Sequence, residues 1–334
     1  MDINLYHKKH GYFDIDSVLK QSQKIIFCVG GRGIGKTYST IQWMLKNDKK
    51  FIYLRRTQSE ADLQANPMTS SLAKNLNDMH INYQFSRVGN KVGAIFINDI
   101  PMIYTCALST FASIRGINFD DIEYIVFDEF IKEPHVKAIK SEGMALLNLY
   151  ESVNRNRELE GKEEVTLLCL ANSMDIANDT FMQFDLVSIA ERMLEVGDEI
   201  YSTDDILLII AQHSPISAKK EKTLLYRNAG EEYSAMAIKN KFILNDFTYI
   251  SKKNLREYVI LLNVGDLYLY KHKARNEYYV TFTKSLTKRS YSTSNADLER
   301  FRRAEWRYYQ KYLDGYIYFE SYKACALFEK YFTK

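Results

Sequence analysis

Gly30-Gly31-Arg32-Gly33-Ile34-Gly35-Lys36-Thr37 is the stretch that decides the fold of this 334-residue chain. A phosphate-binding loop needs glycines so that backbone N–H groups can curl around phosphates, a lysine for the outer phosphates and a hydroxyl for magnesium. Lys36 and Thr37 supply the charge and the hydroxyl, and an apolar run, Lys24–Val29, precedes the loop. A glycine-rich turn without a ligand is the alternative. The order of strand, loop and helix favours an α/β domain that binds ATP and Mg²⁺.

A second apolar run, Tyr124-Ile125-Val126-Phe127, ends in the two carboxylates of Asp128 and Glu129. Buried strands end in this way when their last residues face a cleft. We expect Asp128 to hold magnesium through water, and Glu129 to polarise the water that attacks the γ-phosphate. A strand that runs into a solvated turn has the same pattern, so the functional interpretation depends on the loop upstream.

Positive charge must also meet the transferred phosphoryl group, and an arginine from a neighbouring subunit can provide it. Arg155 and Arg157 lie at the end of a helical segment after the carboxylate run, and Arg115 lies before that run. Solvated arginines near a helix end have the same pattern. Asn172 follows the apolar run Val165–Ala171 and is a candidate contact to the γ-phosphate, although a turn cap is the simpler explanation.

Apolar runs and helical patterns alternate over the first two thirds of the chain, which is typical of an α/β domain with a mostly parallel sheet. We expect a P-loop ATPase domain over 1–210, a linker over 211–235 and a small α+β domain that binds nucleic acid over 236–334. The predicted strands are Lys24–Val29, Phe51–Arg55, Ala94–Ile97, Met102–Ala107, Tyr124–Phe127, Val165–Ala171, Tyr258–Asn263, Leu267–His272 and Tyr278–Thr283.

Composition indicates a folded, soluble protein, with 46% hydrophobic and 26% charged residues. The four cysteines are far apart and form no CxxC pair, which predicts reduced core thiols in a cytosolic protein. No apolar run approaches the roughly 18 residues that span a bilayer, and the N-terminus lacks a signal-peptide pattern. We therefore expect a cytoplasmic protein and no membrane partner.

Positive charge is concentrated in the C-terminal third. From Lys271 to Lys311, eleven Lys or Arg face four acids, an excess of +7 that favours a polyanionic partner. The segment Asn295–Leu313 has helical spacing, with a packing face beside a basic stripe. A solvated helix is the alternative to a nucleic-acid contact. The packing face comprises Leu298, Phe301, Ala304, Tyr308 and Tyr312, and the stripe comprises Arg300, Arg303, Arg307 and Lys311.

A two-metal nuclease needs three or four carboxylates that converge on one point. In the C-terminal region the candidates are Asp246, Asp266, Glu277 and Asp297, and two of them lie at predicted turns. We therefore expect this domain to bind nucleic acid rather than to cut it.

Several separated motifs together resemble the phi29-like bacteriophage DNA-packaging ATPases. After the glycine-rich loop come Phe51-Ile52-Tyr53-Leu54-Arg55-Arg56, then Ile125 to Ile131, then Leu146 to Leu149 and Arg155-Asn156-Arg157-Glu158. The resemblance in order and spacing covers roughly residues 24–175. The C-terminal third resembles the family in length and predicted layout more than in sequence.

This resemblance implies a RecA-like, ASCE-type P-loop domain and a C-terminal domain like a vestigial, RNase H-like nuclease. It implies a homo-oligomeric ring, pentameric in type, that docks on the portal of a procapsid in the host cytoplasm and is absent from the mature virion. The ring drives double-stranded DNA inside, and a packaging RNA helps to attach it in relatives. By position, Lys36, Glu129 and Arg155 are catalytic, with Arg155 acting in trans. Arg115 stands where a relative has a trans-acting lysine, and Asn172 couples hydrolysis to motion.

Without the resemblance, the same loop and carboxylates suit other proteins. A helicase, a terminase with an active nuclease domain and a small-molecule kinase are enzymatic alternatives. A DNA-binding switch gated by nucleotide, which binds ATP but scarcely turns it over, is the non-enzymatic one.

Overall fold

The computed structural model describes residues 3–114, 116–133, 136, 138–172, 175–220, 223–228 and 248–333. Two compact units make up the chain. The first comprises Met1–Phe184 and Arg192–Ile243, and the second comprises Asp185–Glu191 and Leu244–Lys334. The predicted linker over 211–235 includes two short helices, and its last residues, 229–235, lie outside the described part of the chain. The domain limits drawn from the sequence therefore stay a prediction.

A nine-stranded sheet forms the centre of the first unit, in the order β3-β4-β5-β2-β6-β7-β1-β9-β8. Six neighbouring strands at the centre are all parallel, namely β5, β2, β6, β7, β1 and β9. The strands β3, β4 and β8 pair antiparallel at the two edges. The strands are β1 Ile25–Gly30, β2 Phe51–Arg55, β3 Tyr83–Val88, β4 Val92–Ile97, β5 Ile100–Ala107, β6 Tyr124–Asp128, β7 Thr166–Asn172, β8 Ile200–Ser202 and β9 Ile206–Ala211. This is the mixed α/β fold with a large, mostly parallel sheet that the sequence predicts.

Each predicted strand of the first unit is present, with ends shifted by at most two residues. The sequence interpretation missed β3, β8 and β9. The omission of β9 matters most, because β9 pairs with the phosphate-loop strand, with Ala211 opposite Gly30. An unbroken apolar run such as β9 marks a strand covered on both faces, but helices can have the same local pattern.

Helices cover the sheet and connect its strands. The helix α2 has a buried face of Thr40, Ile41, Met44 and Leu45, with the spacing of an amphipathic helix. The helices are α1 Ile15–Leu19, α2 Lys36–Lys46, α3 Gln58–Gln64, α4 Ser71–Asp78, α5 Glu142–Asn154, α6 Asp179–Gln183, α7 Val187–Val196, α8 Pro215–Lys220 and α9 Leu224–Asn228. Short 3-10 helices lie at Leu108–Ser113, Glu158–Glu160 and Leu255–Glu257.

All four cysteines are buried in the core, as the sequence predicts. Burial raises the pKa of the Cys28 thiol to about 12, so this group stays protonated at neutral pH. Among the described residues, the helices are all too short or too polar to cross a membrane.

The second unit is a five-stranded sheet, in the order β13-β10-β11-β12-β14, that packs against two helices. Its core is rich in aromatic rings, and Phe301 and Phe332 lie with ring centroids 4.5 Å apart. The three strands predicted here are confirmed, as is the helix over Asn295–Leu313. The elements are β10 Tyr258–Val264, β11 Leu267–His272, β12 Tyr278–Thr281, β13 Ser290–Tyr291, β14 Ile317–Phe319, α10 Asn295–Leu313 and α11 Tyr322–Thr333.

The packing face predicted for α10 is wrong at one position. Ala304 is exposed, and Glu305 is fully buried in its place. The Glu305 carboxylate accepts a hydrogen bond from the Tyr291 hydroxyl at 3.0 Å and pairs with Arg289 at 2.9 Å. The sequence pattern favoured the apolar side chain, but a paired and hydrogen-bonded carboxylate can take a core position.

Candidate nucleotide site

The glycine-rich loop joins β1 to α2, as the sequence predicts. Gly33 and Gly35 have φ angles of 69° and 99°, a backbone region that other residues rarely adopt. Gly35 is the residue before the first turn of α2. The loop therefore ends at a helix N-terminus, where unpaired N–H groups and the helix dipole favour an anion.

Lys36 is buried at the start of α2. Its ammonium donates hydrogen bonds to the carbonyl oxygens of Gly30 and Gly31, each at 2.9 Å. Burial lowers the pKa of Lys36 to about 8, against the opposing effect of the nearby Asp128 carboxylate. A cation held in this position inside the loop is ready to meet the outer phosphates of a nucleotide.

The carboxylate of Asp128 lies within hydrogen-bond distance of the loop. It ends β6, which is separated from β1 by β7 alone, and its Oδ1 accepts a hydrogen bond from the Thr37 hydroxyl at 2.9 Å. Burial raises the pKa of Asp128, and the Arg55 guanidinium opposes this shift. The two oxygen groups assigned to magnesium from the sequence are thus direct neighbours.

Glu129 leaves the strand in a strained conformation, with a φ of 56° that is uncommon for a residue with a side chain. The N–H of the next residue, Phe130, donates a hydrogen bond at 3.2 Å to the carbonyl oxygen of Leu170 in β7. The Glu129 side chain is about half exposed, in contrast to the buried Asp128. Such strain persists where the surrounding structure holds it, and it is frequent at catalytic positions.

Two residues of β2 complete the site, and the sequence interpretation gave neither of them a role. The Tyr53 hydroxyl donates to Asp128 Oδ2 at 2.5 Å, and Arg55 pairs with the same oxygen at 3.2 Å. Arg55 also pairs with Glu129 through its second terminal nitrogen. Because β2 is the direct neighbour of β6, its last residues reach both carboxylates. The sequence feature that indicates this contact is a charged residue, Arg55, at the end of an apolar strand.

A cleft of about 260 Å³ brings most of the predicted nucleotide residues together. Asn172 lies in its lining, since β7 pairs with β1 and places Asn172 opposite Gly30. Gly30, Gly31 and Ile34 belong to the loop but not to the lining of this cleft. The lining comprises Arg32, Gly33, Gly35, Lys36, Thr37, Tyr38, Asp128, Glu129, Ala171 and Asn172.

Two further side chains contact the tip of the loop. Lys220, the last residue of α8, donates from Nζ to the carbonyl oxygen of Arg32. The Arg32 guanidinium in turn lies 3.8 Å from the Glu133 carboxylate. Lys220 falls within the segment that the sequence predicts as a linker between the two domains.

Two of the predicted arginine fingers, Arg155 and Arg157, lie outside the lining of the cleft. Arg155 follows α5 with a φ of 51°, and its guanidinium pairs with Asp120 at 2.7 Å. Arg157 donates to the backbone carbonyl of Asp120 at 2.8 Å. Arg115 lies outside the described residues.

In the second unit, the basic stripe lies on an exposed face of α10, and its arginines have acidic neighbours on the same helix. Arg300 pairs with Asp297 at 3.0 Å, and Arg303 pairs with Glu299 at 3.5 Å. Arg307 lies 3.5 Å from Glu305, and Lys311 lies 4.8 Å from the centre of the Tyr316 ring. The net positive charge of this face is therefore smaller than the sequence pattern suggests.

Two of the four carboxylates considered for a nuclease, Glu277 and Asp297, have other contacts. Glu277 accepts a hydrogen bond from Tyr258 and pairs with Lys253. Asp297 accepts hydrogen bonds from the hydroxyl and backbone N–H of Ser292, at 2.7 and 3.0 Å. Asp246 lies outside the described residues.

The chain is 29% identical to the DNA packaging proteins of Bacillus phages PZA and phi29 over 260 residues, which are 76% of this chain and 71% of each relative. A solved structure of the bacteriophage Phi-29 viral genome packaging motor assembly has a similar fold, with a TM-score of 0.66 and 23% identity over 96% of this chain and 99% of that one. The model of the Podovirus DNA encapsidation protein (Gp16) family matches residues 7–324. The chain therefore belongs to the Podovirus DNA encapsidation protein (Gp16) family.

Proposed function

We propose that this chain is an ATP-driven motor that moves double-stranded viral DNA into a preformed procapsid, with hydrolysis of ATP to ADP and phosphate as its reaction. The family match over residues 7–324 is the observation that carries the proposal. The cleft that joins the phosphate-binding loop to Asp128, Glu129 and Asn172 supports it, because this set serves nucleotide hydrolysis.

Several residues in and beside the cleft have a task in this chemistry. Lys36 contacts the outer phosphates, and the loop N–H groups bind the phosphate chain. Glu129 accepts the proton of the attacking water, and its half-exposed side chain suits contact with solvent-derived water. Arg55 fixes the orientation of the Asp128 and Glu129 carboxylates through its two ion pairs. Asn172 contacts the γ-phosphate or its water.

Magnesium fits the described residues of this cleft. The Thr37 hydroxyl and the Asp128 carboxylate are hard oxygen donors that lie 2.9 Å apart. Bound there, the ion supplies positive charge that offsets the charge of the phosphates. The Asp128 carboxylate is buried and pairs with Arg55 through Oδ2, while its other oxygen, Oδ1, is the one beside Thr37 that would meet the ion.

We further propose a homo-oligomeric ring, pentameric in type, in which Arg155 enters the site of the next subunit. Arg155 is about half exposed and lies outside the lining of its own cleft, and its positive φ supports a functional position. Its partner Asp120 is also exposed, so the ion pair is weak and can be exchanged for a phosphate contact. Arg115 is proposed as a second trans-acting residue.

The second unit is proposed to be a vestigial, RNase H-like nuclease domain that binds nucleic acid without cutting it. The engagement of Glu277 and Asp297 in other contacts supports this. The partners proposed for the whole chain are double-stranded DNA, the portal of the procapsid and a packaging RNA. The motor acts in the host cytoplasm, docks transiently on the procapsid and is absent from the mature virion.

Protection of DNA by procapsids tests the motor directly. Purified procapsids, the required RNA, this protein and ATP should render phage DNA resistant to added nuclease, and Glu129→Gln should abolish this resistance. Competent procapsids that protect no DNA would overturn the assignment. Unwinding of a forked duplex would indicate a helicase, and manganese-dependent cutting of a plasmid would indicate an active terminase nuclease.

Mixed rings test the trans position of Arg155. Subunits with Arg155→Ala and subunits with Glu129→Gln should recover ATPase activity when mixed, because some interfaces then combine an intact Glu129 with an intact Arg155. A mixture of Lys36→Ala and Glu129→Gln is the matched control. It should recover nothing, since both residues belong to the same subunit's half of the site. Equal behaviour of the two mixtures would exclude a trans role for Arg155.

A further inference from the structure

Donors on two sides hold the carbonyl oxygens of the glycine-rich loop. Inside the loop, the buried Lys36 ammonium donates to the carbonyls of Gly30 and Gly31, each at 2.9 Å. On the other side, Nζ of Lys220 donates to the carbonyl of Arg32. Lys220 lies outside the lining of the nucleotide cleft. The Arg32 carbonyl therefore faces away from the cleft, unlike the two carbonyls before it.

The strand order brings Lys220 to the loop. The strands β1 and β9 are parallel neighbours, with Gly30 opposite Ala211, so the segments that follow them leave the sheet at the same edge. The loop follows β1, and α8 follows β9. Ile216 and Ser217 of α8 are buried, which anchors this helix in the first unit. Lys220 is its last residue and reaches the loop from there.

The direction of one peptide group follows from this contact. The Arg32 carbonyl and the Gly33 N–H belong to the same planar trans peptide, in which the C=O and N–H bonds point in opposite directions. Since the carbonyl points to Lys220, the N–H of Gly33 points to the other side. Gly33 lines the cleft, so its N–H is directed at the place of the phosphates.

The peptide between Ile34 and Gly35 repeats this arrangement. The N-terminal segment, residues 3–14, supplies its donor, because the Phe13 N–H donates to the Ile34 carbonyl at 2.9 Å. Gly35 also lines the cleft. Two donors from outside the loop thus hold alternate carbonyls outward and direct the N–H groups of two glycines inward. Backbone N–H groups that converge in this way form an anion site.

We propose that Lys220 is a positioning residue for the nucleotide site, which fixes the peptide between Arg32 and Gly33 so that the Gly33 N–H meets the phosphates. The inference rests on the proposed function, in which the loop binds ATP. Gly33 has a φ of 69°, and glycine adopts negative φ as readily, so this peptide can flip. A flip would turn the Arg32 carbonyl towards the phosphates and repel them. The charge-assisted hydrogen bond from Lys220 stabilises the productive orientation.

The charge of Lys220 acts on the same site. Burial lowers the pKa of Lys36 to about 8, and the charge of Lys220 adds to this effect. Burial and the Arg32 charge likewise lower the pKa of Lys220. The free loop therefore gathers cations that repel one another, and a bound polyphosphate removes this repulsion. The Gly33 N–H must be observed directly to separate peptide orientation from charge.

Selective labelling isolates the Gly33 N–H in an NMR spectrum. Arginine precedes glycine at two places in the sequence, Arg32-Gly33 and Arg115-Gly116. Carbonyl-¹³C arginine combined with ¹⁵N-glycine therefore selects two amide signals, and Arg115→Lys identifies the one from Gly116. Inorganic tripolyphosphate with magnesium is the probe, because it has the phosphates without base or ribose. In the wild type, its binding should move the Gly33 proton downfield, as a hydrogen bond to a phosphate oxygen does.

Lys220→Met removes the donor and keeps the bulk of the side chain. The downfield shift of the Gly33 proton should be lost. Calorimetry should show that tripolyphosphate and ATP both bind about tenfold more weakly, the usual contribution of a hydrogen bond to a charged group. Lys220→Arg retains a charged donor and should keep both the shift and the affinities. Lys219→Met, at the exposed neighbouring lysine of α8, is the matched control and should behave as the wild type does.

The outcomes separate peptide orientation from charge and from the proposed function. A Gly33 proton that still moves downfield in Lys220→Met at saturating tripolyphosphate would overturn the inference, because Lys220 would then contribute charge alone. A wild type that binds tripolyphosphate without this shift would overturn it too. Lys220→Ser, which also lacks the reach to the loop, repeats the test if Lys220→Met does not fold. A wild-type chain that binds neither tripolyphosphate nor ATP overturns the proposed function as well.

Discussion

At the scale of single residues, Lys36 combines burial with a positive charge. Its folded pKa of about 8 lies below its ordinary value of 10.5, so the folded state binds fewer protons than the unfolded state between these two values. At low pH the buried charge of Lys36 therefore lowers the free energy of unfolding. This loss becomes smaller as pH rises from about 8 towards 10.5. A bound triphosphate reverses the effect, because its negative charge favours the protonated lysine.

Nucleotide binding should therefore take up a proton in mildly alkaline solution. At about pH 9 most Lys36 side chains of the free protein are neutral, whereas at about pH 7 most are charged. Titration calorimetry of ATP binding in buffers of different ionisation enthalpy measures this uptake. We expect close to one proton at about pH 9 and far less at about pH 7. Equal proton uptake at both values would contradict the position given to Lys36.

Arg55 should act on catalysis more than on binding. Arg55→Ala removes the ion pairs to Asp128 and Glu129, so both carboxylates lose their orientation. We expect kcat for ATP hydrolysis to fall by about 10- to 100-fold, the usual effect of removing a group that orients catalytic side chains. The Kd for ATP should change much less. Steady-state kinetics and calorimetry separate the two constants.

Arg87→Ala is the control for this substitution. Arg87 is half exposed and pairs with Asp62 on the surface, so its loss should leave kcat unchanged. If Arg55→Ala keeps the wild-type kcat, the contacts of Arg55 with the carboxylates are structural only.

At the scale of elements, the helix α5 is fixed at its first residue. Arg56, directly after β2, makes a two-point contact with Glu142 at 2.5 and 2.8 Å, and both side chains are buried. Burial raises the pKa of Glu142, and Arg56 opposes the shift. The opposite end of α5 leads into Arg155. The ion pair thus sets the start of the helix that presents the proposed finger.

Breaking this pair should be strongly destabilising. Glu142→Ala leaves the Arg56 guanidinium buried without its partner, and the free energy of unfolding should fall by about 3–5 kcal/mol. Glu151→Ala removes an exposed glutamate from the same helix and should change stability by less than about 0.5 kcal/mol. Urea denaturation of the two variants gives the comparison. Similar stability of both variants would show that the Arg56 charge finds another partner.

At the scale of the whole molecule, the proposed motor joins a nucleotide site in one unit to a basic helix in the other. Arg303 has the most exposed side chain among the arginines of the α10 stripe, with an exposed fraction of 83%. Its guanidinium lies 3.5 Å from the carboxylate of Glu299. A contact between this side chain and a DNA phosphate would release a counterion, which makes binding dependent on salt.

Arg303→Ala should therefore lower the slope of log K for DNA binding against log salt by about one. Fluorescence anisotropy of the full chain with duplex DNA, at several salt concentrations, measures this slope. Arg87→Ala, an exposed and paired arginine of the first unit, should retain the wild-type slope. If the Arg303 variant also retains it, α10 has a solvated face that does not touch DNA.

Contiguous features were the ones that the sequence could predict. The loop from Gly30 to Thr37 and the pair Asp128-Glu129 each lie within a few residues, so their residue types and spacing indicate their chemistry without a fold. The strands of the parallel sheet are apolar runs bounded by polar residues, which is why most of them were found. The helix α10 has a clear helical period and was predicted with its observed ends.

Contacts between distant segments required the tertiary structure. Tyr53 and Arg55 reach Asp128 because the sheet places β2 beside β6, and strand order is not encoded in either strand alone. Tyr12 lies on Gly35 because the N-terminal segment folds back over the loop. The sequence by itself thus determined where the candidate nucleotide site lies, since local residue types and spacing indicate that chemistry. Only the fold decided which distant side chains complete the site, because their proximity depends on the packing of the whole sheet.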